Sequence, residues 1–175
     1  KIVIWGESAG AYLAAMTATT PNVDSLNADV LDNLEQDSIV AALVDFYGPI
    51  EFATMDEEFT ALGDAASANH TKGSYESDFV GVDDLSANPD KTAATWWGTY
   101  KDQTPTDLYA WIQAGTADTN VPYTQSEHFA EALSEVIGND HVQYSVLEGA
   151  AHEDDRFYTE ENLNDVFAFL TDALK

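Results

Sequence analysis

Short apolar runs alternate along the chain with segments whose apolar residues recur at helical spacing. The apolar runs predict strands over residues 1–5, 39–44, 108–114 and 142–147. The helical spacing predicts helices over residues 11–19, 125–137 and 163–174. Thr124 and Glu127 form a capping-box pattern at the start of the second helix. This alternation is typical of an α/β fold with a mainly parallel sheet.

A long segment, about residues 50–106, interrupts the alternation and shows no sustained period. A loop-rich stretch of this length is uncommon in a compact domain unless it has a function or covers a site. We therefore expect a single domain over residues 1–175 in which this irregular excursion lies near the functional site. Its turn-forming residues include Gly63, Gly73, Gly81, Pro89 and Gly98.

Composition removes several classes of function. The chain has 6 Lys and Arg against 32 Asp and Glu, which gives a formal net charge of -26. Such a charge repels phosphate backbones and argues against nucleic-acid binding. The chain has no cysteine, which excludes disulfides, thiolate metal sites and a cysteine nucleophile. No apolar run reaches the length of a membrane span, and the compartment, cytoplasmic or secreted, stays open.

The segment Gly6-Glu-Ser-Ala-Gly10 follows the first predicted strand and precedes the first predicted helix. The pattern G-x-S-x-G in this context is a nucleophile elbow, a tight turn that presents a serine hydroxyl at the start of a helix. Small neighbours prevent collisions in the strained turn. The sequence thus predicts Ser8 as a nucleophile and the backbone N–H of Ala9 as an oxyanion donor.

A serine nucleophile needs a base and a carboxylate that orients the base, in the chain order serine, acid, histidine. His152 follows the fourth predicted strand, at the same sheet edge as Ser8, whereas His141 precedes that strand. His128 falls within a predicted helix and His70 within the excursion. Asp118 follows the third predicted strand, whereas its competitor Asp45 lies inside an apolar run. We therefore predict Asp118 as the acid and His152 as the base.

These segments together resemble bacterial esterases of the hormone-sensitive-lipase-like and feruloyl/acetyl-xylan esterase group, which have the α/β-hydrolase fold. The resemblance covers nearly the whole chain, and its most specific part is the Asp118 segment. It implies the same roles for Ser8, Asp118 and His152. The matching segments are Trp5-Gly-Glu-Ser-Ala-Gly10, Val44-Asp-Phe-Tyr-Gly-Pro49, Gly115-Thr-Ala-Asp-Thr-Asn-Val-Pro-Tyr-Thr-Gln-Ser126 and Gly149-Ala-Ala-His152.

The chain departs from the family pattern in two ways. Alanine stands at Ala11 and Ala151, where similar proteins usually carry glycine. Such esterases also begin with several more strands, and a His-Gly-Gly loop there supplies further oxyanion donors. The resemblance therefore implies that this chain is the C-terminal part of the domain, without the N-terminal strands. We expect a missing N-terminal segment or a second copy to cover the edge of Lys1–Trp5, and the isolated fragment to be weakly active.

The expected function is a serine carboxylesterase that hydrolyses small acyl or aryl esters, without a cofactor or a metal. Glu7 and Val121 are further predicted to contact substrate, because they lie beside Ser8 and Asp118 in sequence. A serine peptidase of the prolyl-oligopeptidase type shares the fold and triad, but usually has Gly-Gly where this chain has Gly10-Ala11. A non-catalytic hydrolase-fold binding module is the other alternative, favoured by the absent oxyanion loop.

Overall fold

The described residues, 1–27, 32–33 and 35–175 of the computed structural model, form a parallel four-stranded sheet. The order of the strands in the sheet follows their order in the chain, β1-β2-β3-β4, and each pairs in parallel with the next. This confirms the predicted α/β class and the parallel sheet. The strands are β1 (Val3–Glu7), β2 (Ala42–Phe46), β3 (Tyr109–Gly115) and β4 (Val142–Leu147).

Helices cover both faces of the sheet. They are α1 (Ala9–Thr19), α2 (Met55–Ala61), α3 (Tyr75–Val80), α4 (Pro89–Ala94), α5 (Thr124–Ile137) and α6 (Glu160–Ala173). Short 3₁₀ helices lie at Trp97–Thr99, Lys101–Gln103, Asn139–His141 and Asp155–Tyr158. The helices predicted at 11–19, 125–137 and 163–174 correspond to α1, α5 and α6. The three short helices of the excursion were not predicted, because each is too brief to show a period.

Alternate residues of the strands point to opposite faces of the sheet, as β geometry requires. Leu43 and Ile112 pack into a core with the buried faces of α1 and α5. Val44 and Trp111 pack on the other face with residues of α6 such as Val166. Helix α1 buries Ala14, Ala15 and Ala18 in the first of these cores, and these small side chains let its backbone lie close to the strands.

The excursion packs over the carboxyl ends of the strands through a smaller core. Phe52, Met55 and Leu85 contact Tyr12 of α1 and Val121 of the segment that follows β3. The Tyr12 hydroxyl also donates a hydrogen bond to the carbonyl oxygen of Thr95 at 2.8 Å. These contacts hold the excursion against the sheet edge at which the predicted catalytic residues lie.

The predicted capping box at the start of α5 is wrong. The residue before the first helical position is Tyr123, and no side chain caps this end of the helix. Thr124 already has helical geometry, and its hydroxyl donates to the carboxylate of Glu58 in α2 instead. A contact with a distant residue has therefore replaced the local one that the sequence pattern suggested.

Candidate active site

Three loops leave the carboxyl ends of the strands and meet at one edge of the sheet. The parallel register places Glu7 beside Phe46, and Gly115 beside Leu147. Ser8 comes directly after β1, Asp118 follows β3 and His152 follows β4. Parallel strands point the same way, so residues just past their ends are neighbours although they are far apart in sequence.

Ser8 occupies a strained turn between β1 and α1. Its backbone torsion angles are φ 52° and ψ -125°, a combination that residues other than glycine rarely adopt. Its backbone N–H donates to the carbonyl of Phe46 at 3.0 Å, which fixes the turn to the neighbouring strand. A Cβ at Gly6 would lie 2.0 Å from the carbonyl oxygen of Gly10, whereas one at Gly10 would meet nothing within 4 Å. Of the two flanking glycines, Gly6 is thus the one required sterically.

The structure brings the side chains of Ser8, Asp118 and His152 into one line of hydrogen bonds. His152 Nδ1 lies 2.7 Å from Asp118 Oδ2, and His152 Nε2 lies 2.8 Å from Ser8 Oγ. A carboxylate only accepts, so Nδ1 donates to Asp118, and Nε2 of the neutral ring accepts the hydroxyl proton of Ser8. The arrangement is one in which an imidazole can remove a proton from a serine.

Asp118 is shielded from water and fully hydrogen-bonded. Its side chain is 1% exposed, and that of His152 is 13% exposed. Asp118 Oδ1 accepts from the backbone N–H groups of Asn120 at 2.8 Å and Val121 at 3.0 Å. These bonds leave Oδ2 free to face the histidine. Burying a carboxylate costs free energy unless its oxygens are hydrogen-bonded. The two backbone bonds offset the part of this cost that the bond to His152 leaves.

Close backbone packing brings the acid loop and the histidine loop together. A Cβ at Gly115 would lie 2.3 Å from the carbonyl oxygen of Ala150, so any side chain at this position would push the two loops apart. Ala117 N–H donates to the same carbonyl at 2.9 Å, and Thr116 N–H donates to Leu147 at 3.2 Å. The glycine before Asp118 therefore sets the distance between Asp118 and His152.

Ser8 and His152 open into a cleft of about 650 Å³. One wall comes from the turn of the excursion at residues 69–76, and the other comes from the loops that carry Asp118 and His152. Tyr75 lies on the rim and is 92% exposed. Val121, a predicted substrate contact, is among the lining residues. The other predicted contact, Glu7, accepts a hydrogen bond from Tyr158 at 2.9 Å.

His70 was not singled out as a site residue, although the excursion that carries it was expected near the site. It is buried, and its Nδ1 donates to Asp56 Oδ1 at 2.6 Å. Its Nε2 faces the carbonyl oxygen of Asn120 at 3.2 Å, and its ring stacks on that of Phe59. The other two histidines lie elsewhere. His128 is in α5, and His141 bonds to the carbonyl of Leu108 at the opposite end of the strands.

Asp45, the alternative acid, lies within β2 and is completely buried. Its Oδ1 accepts from Gly48 N–H at 2.9 Å, and its Oδ2 has no hydrogen-bond partner among the described residues. Burial raises the pKa of this carboxyl to about 7, and the bond from Gly48 opposes that rise only in part. Among the described residues, Asp45 thus has the Gly48 amide and no histidine as its hydrogen-bond partner.

Two further features of the described residues limit what the site contains. No group of three or more His, Asp and Glu side chains in this part of the chain is placed to hold a metal ion. Every helix within it is too short or too polar to cross a bilayer.

Comparisons with known proteins identify one family by its sequence model and relate the chain to solved structures of similar fold. The family model described as BD-FAE matches residues 1–133. A search of curated protein sequences found no match. Among solved structures, the bifunctional GH43-CE protein of Bacteroides eggerthii is 27% identical, with a TM-score of 0.76. The alignment covers 98% of this chain and 21% of that protein.

Two other solved structures share the fold at lower identity. A truncated carbohydrate esterase from gut microbiota is 20% identical over 98% of this chain and 59% of its own, with a TM-score of 0.69. An acylaminoacyl peptidase in complex with a chloromethyl ketone is 14% identical over 89% of this chain and 20% of its own, with a TM-score of 0.58. The chain therefore spans less than two thirds of each of these proteins.

Proposed function

The chain belongs to the BD-FAE family of α/β-hydrolase esterases, and we propose that it is a serine carboxylesterase acting on small acyl or aryl esters. The observation that supports this most strongly is the position of His152 between Ser8 Oγ at 2.8 Å and Asp118 Oδ2 at 2.7 Å. This geometry supports a role for Ser8 as nucleophile, for His152 as base and for Asp118 as the carboxylate that orients the base.

In the proposed reaction, Ser8 Oγ attacks the ester carbonyl while His152 Nε2 takes the hydroxyl proton. The carbonyl oxygen becomes an oxyanion near the backbone N–H of Ala9. Ala9 is the first residue of α1, so its N–H has no partner within the helix and lies at the positive end of the helix dipole. His152 then gives its proton to the leaving alcohol. Water hydrolyses the acyl-enzyme by the same steps and regenerates Ser8.

Asp118 has two tasks in this scheme. It keeps the Nδ1 proton of His152 in place, so that Nε2 is the atom that accepts, and it stabilises the imidazolium that forms. Its own geometry is fixed by the amides of Asn120 and Val121.

We propose neutral esters as the preferred substrates. The cleft is open and mostly polar, and Lys72, the cation among its lining residues, forms an ion pair with Asp83 at 2.7 Å. With a formal net charge of -26, the protein repels anionic substrates before they reach the cleft. Neutral acyl or aryl esters of an uncharged alcohol avoid this penalty.

We also propose that the chain is the C-terminal part of one α/β-hydrolase domain, and that an N-terminal segment or a second copy pairs with the outer edge of β1. All residues of β2 are buried, whereas those of β1 are mostly half-buried. Ile2, Leu13 of α1 and Phe167 of α6 are more than half exposed. Sedimentation of the chain alone should show self-association, and a stable monomer at high concentration would contradict the pairing.

Labelling with a fluorophosphonate probe tests the catalytic proposal directly. Wild-type protein should be labelled at Ser8, and Ser8→Ala should not be labelled. Equal labelling of both proteins would reject Ser8 as the nucleophile. Turnover of p-nitrophenyl acetate but not of a peptide anilide should follow. The reverse preference would indicate a peptidase, and no labelling of the full-length protein would indicate a non-catalytic module.

A further inference from the structure

A second line of hydrogen bonds, which does not involve Asp118, lies beside the imidazole of His152. Tyr47 is fully buried, and its ring lies edge-on to the imidazole of His152, with 4.8 Å between the ring centroids and 63° between the planes. The hydroxyls of Tyr47 and Tyr158 are hydrogen-bonded to each other. The Tyr158 hydroxyl lies 2.9 Å from Oε2 of Glu7, the residue that precedes Ser8.

The chemistry of these groups fixes the direction of the bonds. A carboxylate only accepts, so Tyr158 donates to Glu7, and Tyr47 must then donate to the oxygen of Tyr158. Burial raises the pKa of Tyr47 and of Tyr158, and the nearby charge of Glu7 adds to both shifts. Both phenols therefore keep their protons at neutral pH, and the line Tyr47–Tyr158–Glu7 stays intact.

These residues come from three different segments of the chain. Glu7 ends β1, Tyr47 follows β2, and Tyr158 ends the 3₁₀ helix that follows His152. Tyr47 has a φ of 48°, which a residue other than glycine adopts at an energetic cost. A bulky side chain held in such a conformation indicates that the ring and hydroxyl are needed where they are.

We propose that Tyr47, Tyr158 and Glu7 are positioning residues that hold the histidine loop, residues 148–158, at its working distance from Ser8. This inference rests on the proposed function. The loop is tied to the acid loop through Ala150, and the line of hydroxyls ties it to the nucleophile turn as well. His152 is therefore held from both sides. A displacement of about 1 Å would be enough to lower the rate about 100-fold.

The substitution Tyr158→Phe removes the central hydroxyl and keeps the ring beside Phe46, from which it is 6.2 Å away. In the full-length protein, kcat for p-nitrophenyl acetate should fall about 10- to 100-fold, while KM changes less than about threefold. Tyr100→Phe is the matched control, because its hydroxyl bonds to the carbonyl of Ala94 outside the cleft. It should leave both constants unchanged.

Glu7→Ala should reproduce the loss seen for Tyr158→Phe, and the double variant should lose no more than either single one, since all act through one line of bonds. Glu7→Gln keeps an accepting oxygen and should recover most of kcat. Additive losses in the double variant would overturn the proposal. So would a rise in KM at constant kcat for Glu7→Ala, because that result would indicate a direct substrate contact.

The rate of fluorophosphonate labelling separates this proposal from the one on which it rests. Slower labelling of Tyr158→Phe than of wild type supports the positioning role. Equal rates for the two proteins reject that role and leave Ser8 as the nucleophile. Failure to label the wild-type protein rejects both. The thermal unfolding midpoint of Tyr158→Phe should stay close to that of wild type, and a large drop with normal kcat would show a structural role alone.

Discussion

Two histidine–aspartate pairs lie at the same cleft and have nearly the same local geometry. In the loops that follow the strands, His152 Nδ1 lies 2.7 Å from Asp118; in the excursion, His70 Nδ1 lies 2.6 Å from Asp56. They differ in what the second ring nitrogen meets. His152 Nε2 faces the hydroxyl of Ser8, whereas His70 Nε2 faces the carbonyl of Asn120.

That difference separates a pair suited to proton transfer from one suited to holding structure. A hydroxyl has a proton to give, so the nitrogen of His152 can act as a base toward it. A carbonyl oxygen has no proton to give, so the nitrogen of His70 that faces Asn120 has no proton there to accept. His70 therefore ties the excursion to the loop that carries Asp118. A histidine–carboxylate pair alone does not identify a catalytic site.

The two regions are also fixed in different ways. The loops at the strand ends are held by backbone bonds, such as Ser8 N–H to Phe46 and Tyr47 N–H to Gln113, in addition to the hydroxyl line through Tyr158. The excursion is held by side chains: Gln125 Oε1 accepts from the amides of Ile50 and Glu51, and Gln125 Nε2 donates to Glu58. Substitutions should thus affect the excursion without displacing the strand-end loops.

The largest effect should come from replacing the two aspartates in turn. Asp118→Asn should lower kcat by about 10⁴-fold, because an amide in place of the carboxylate favours the wrong tautomer of His152. Asp56→Asn, the matched variant in the excursion, should lower kcat less than about tenfold. Steady-state kinetics on the full-length protein will compare them. Similar losses for both variants would mean that His70 takes part in the chemistry.

Asp45 sharpens the comparison, because it is a buried carboxyl at the strand ends without a histidine partner. Its pKa is raised from 3.8 to about 7, so the folded state holds a proton that the unfolded state has released. The free energy of unfolding that Asp45 contributes therefore falls by about 4 kcal/mol as pH rises from about 4 to 7. Above pH 7 it stays constant.

Asp45→Asn should remove this pH dependence. The free energy of unfolding of wild type and variant can be measured by urea titration at high salt from pH 4 to 8. In the difference between the two proteins, the contributions of the other acidic groups cancel. The stability of the variant relative to wild type should increase as pH rises. The substitution keeps an oxygen that accepts from the Gly48 amide. A difference that stays flat across this range would show that Asp45 titrates normally.

The smallest effect should come from releasing the excursion. His70→Phe preserves stacking on Phe59 and loses the bonds to Asp56 and Asn120. We expect a local destabilisation of about 1–3 kcal/mol. Amide hydrogen exchange should become faster in residues 50–81, with little change in β2 and β3. Faster exchange spread evenly over sheet and excursion would show that the two regions unfold as one unit.

Much of the strand-end region was predictable from sequence, and the excursion was not. The alternation of apolar runs and helical spacing located the strands and the three long helices. The rule that loops of parallel strands meet at one edge then selected His152 and Asp118 for the neighbourhood of Ser8. For His70 and Asp56, 14 residues apart, no comparable rule exists. The capping-box prediction at Thr124 failed because Glu58, 66 residues away, accepts its hydroxyl proton.

By itself, the sequence determined the class of fold, the nucleophile turn and the residues that meet at its rim. These depend on short-range sterics, such as the collision that forbids a side chain at Gly6, and on the common direction of parallel strands. Only the tertiary structure decided that His70 pairs with Asp56, and that Tyr47 lies beside His152 and bonds to Tyr158. Such pairings depend on where distant loops close, and no local pattern of residues encodes that.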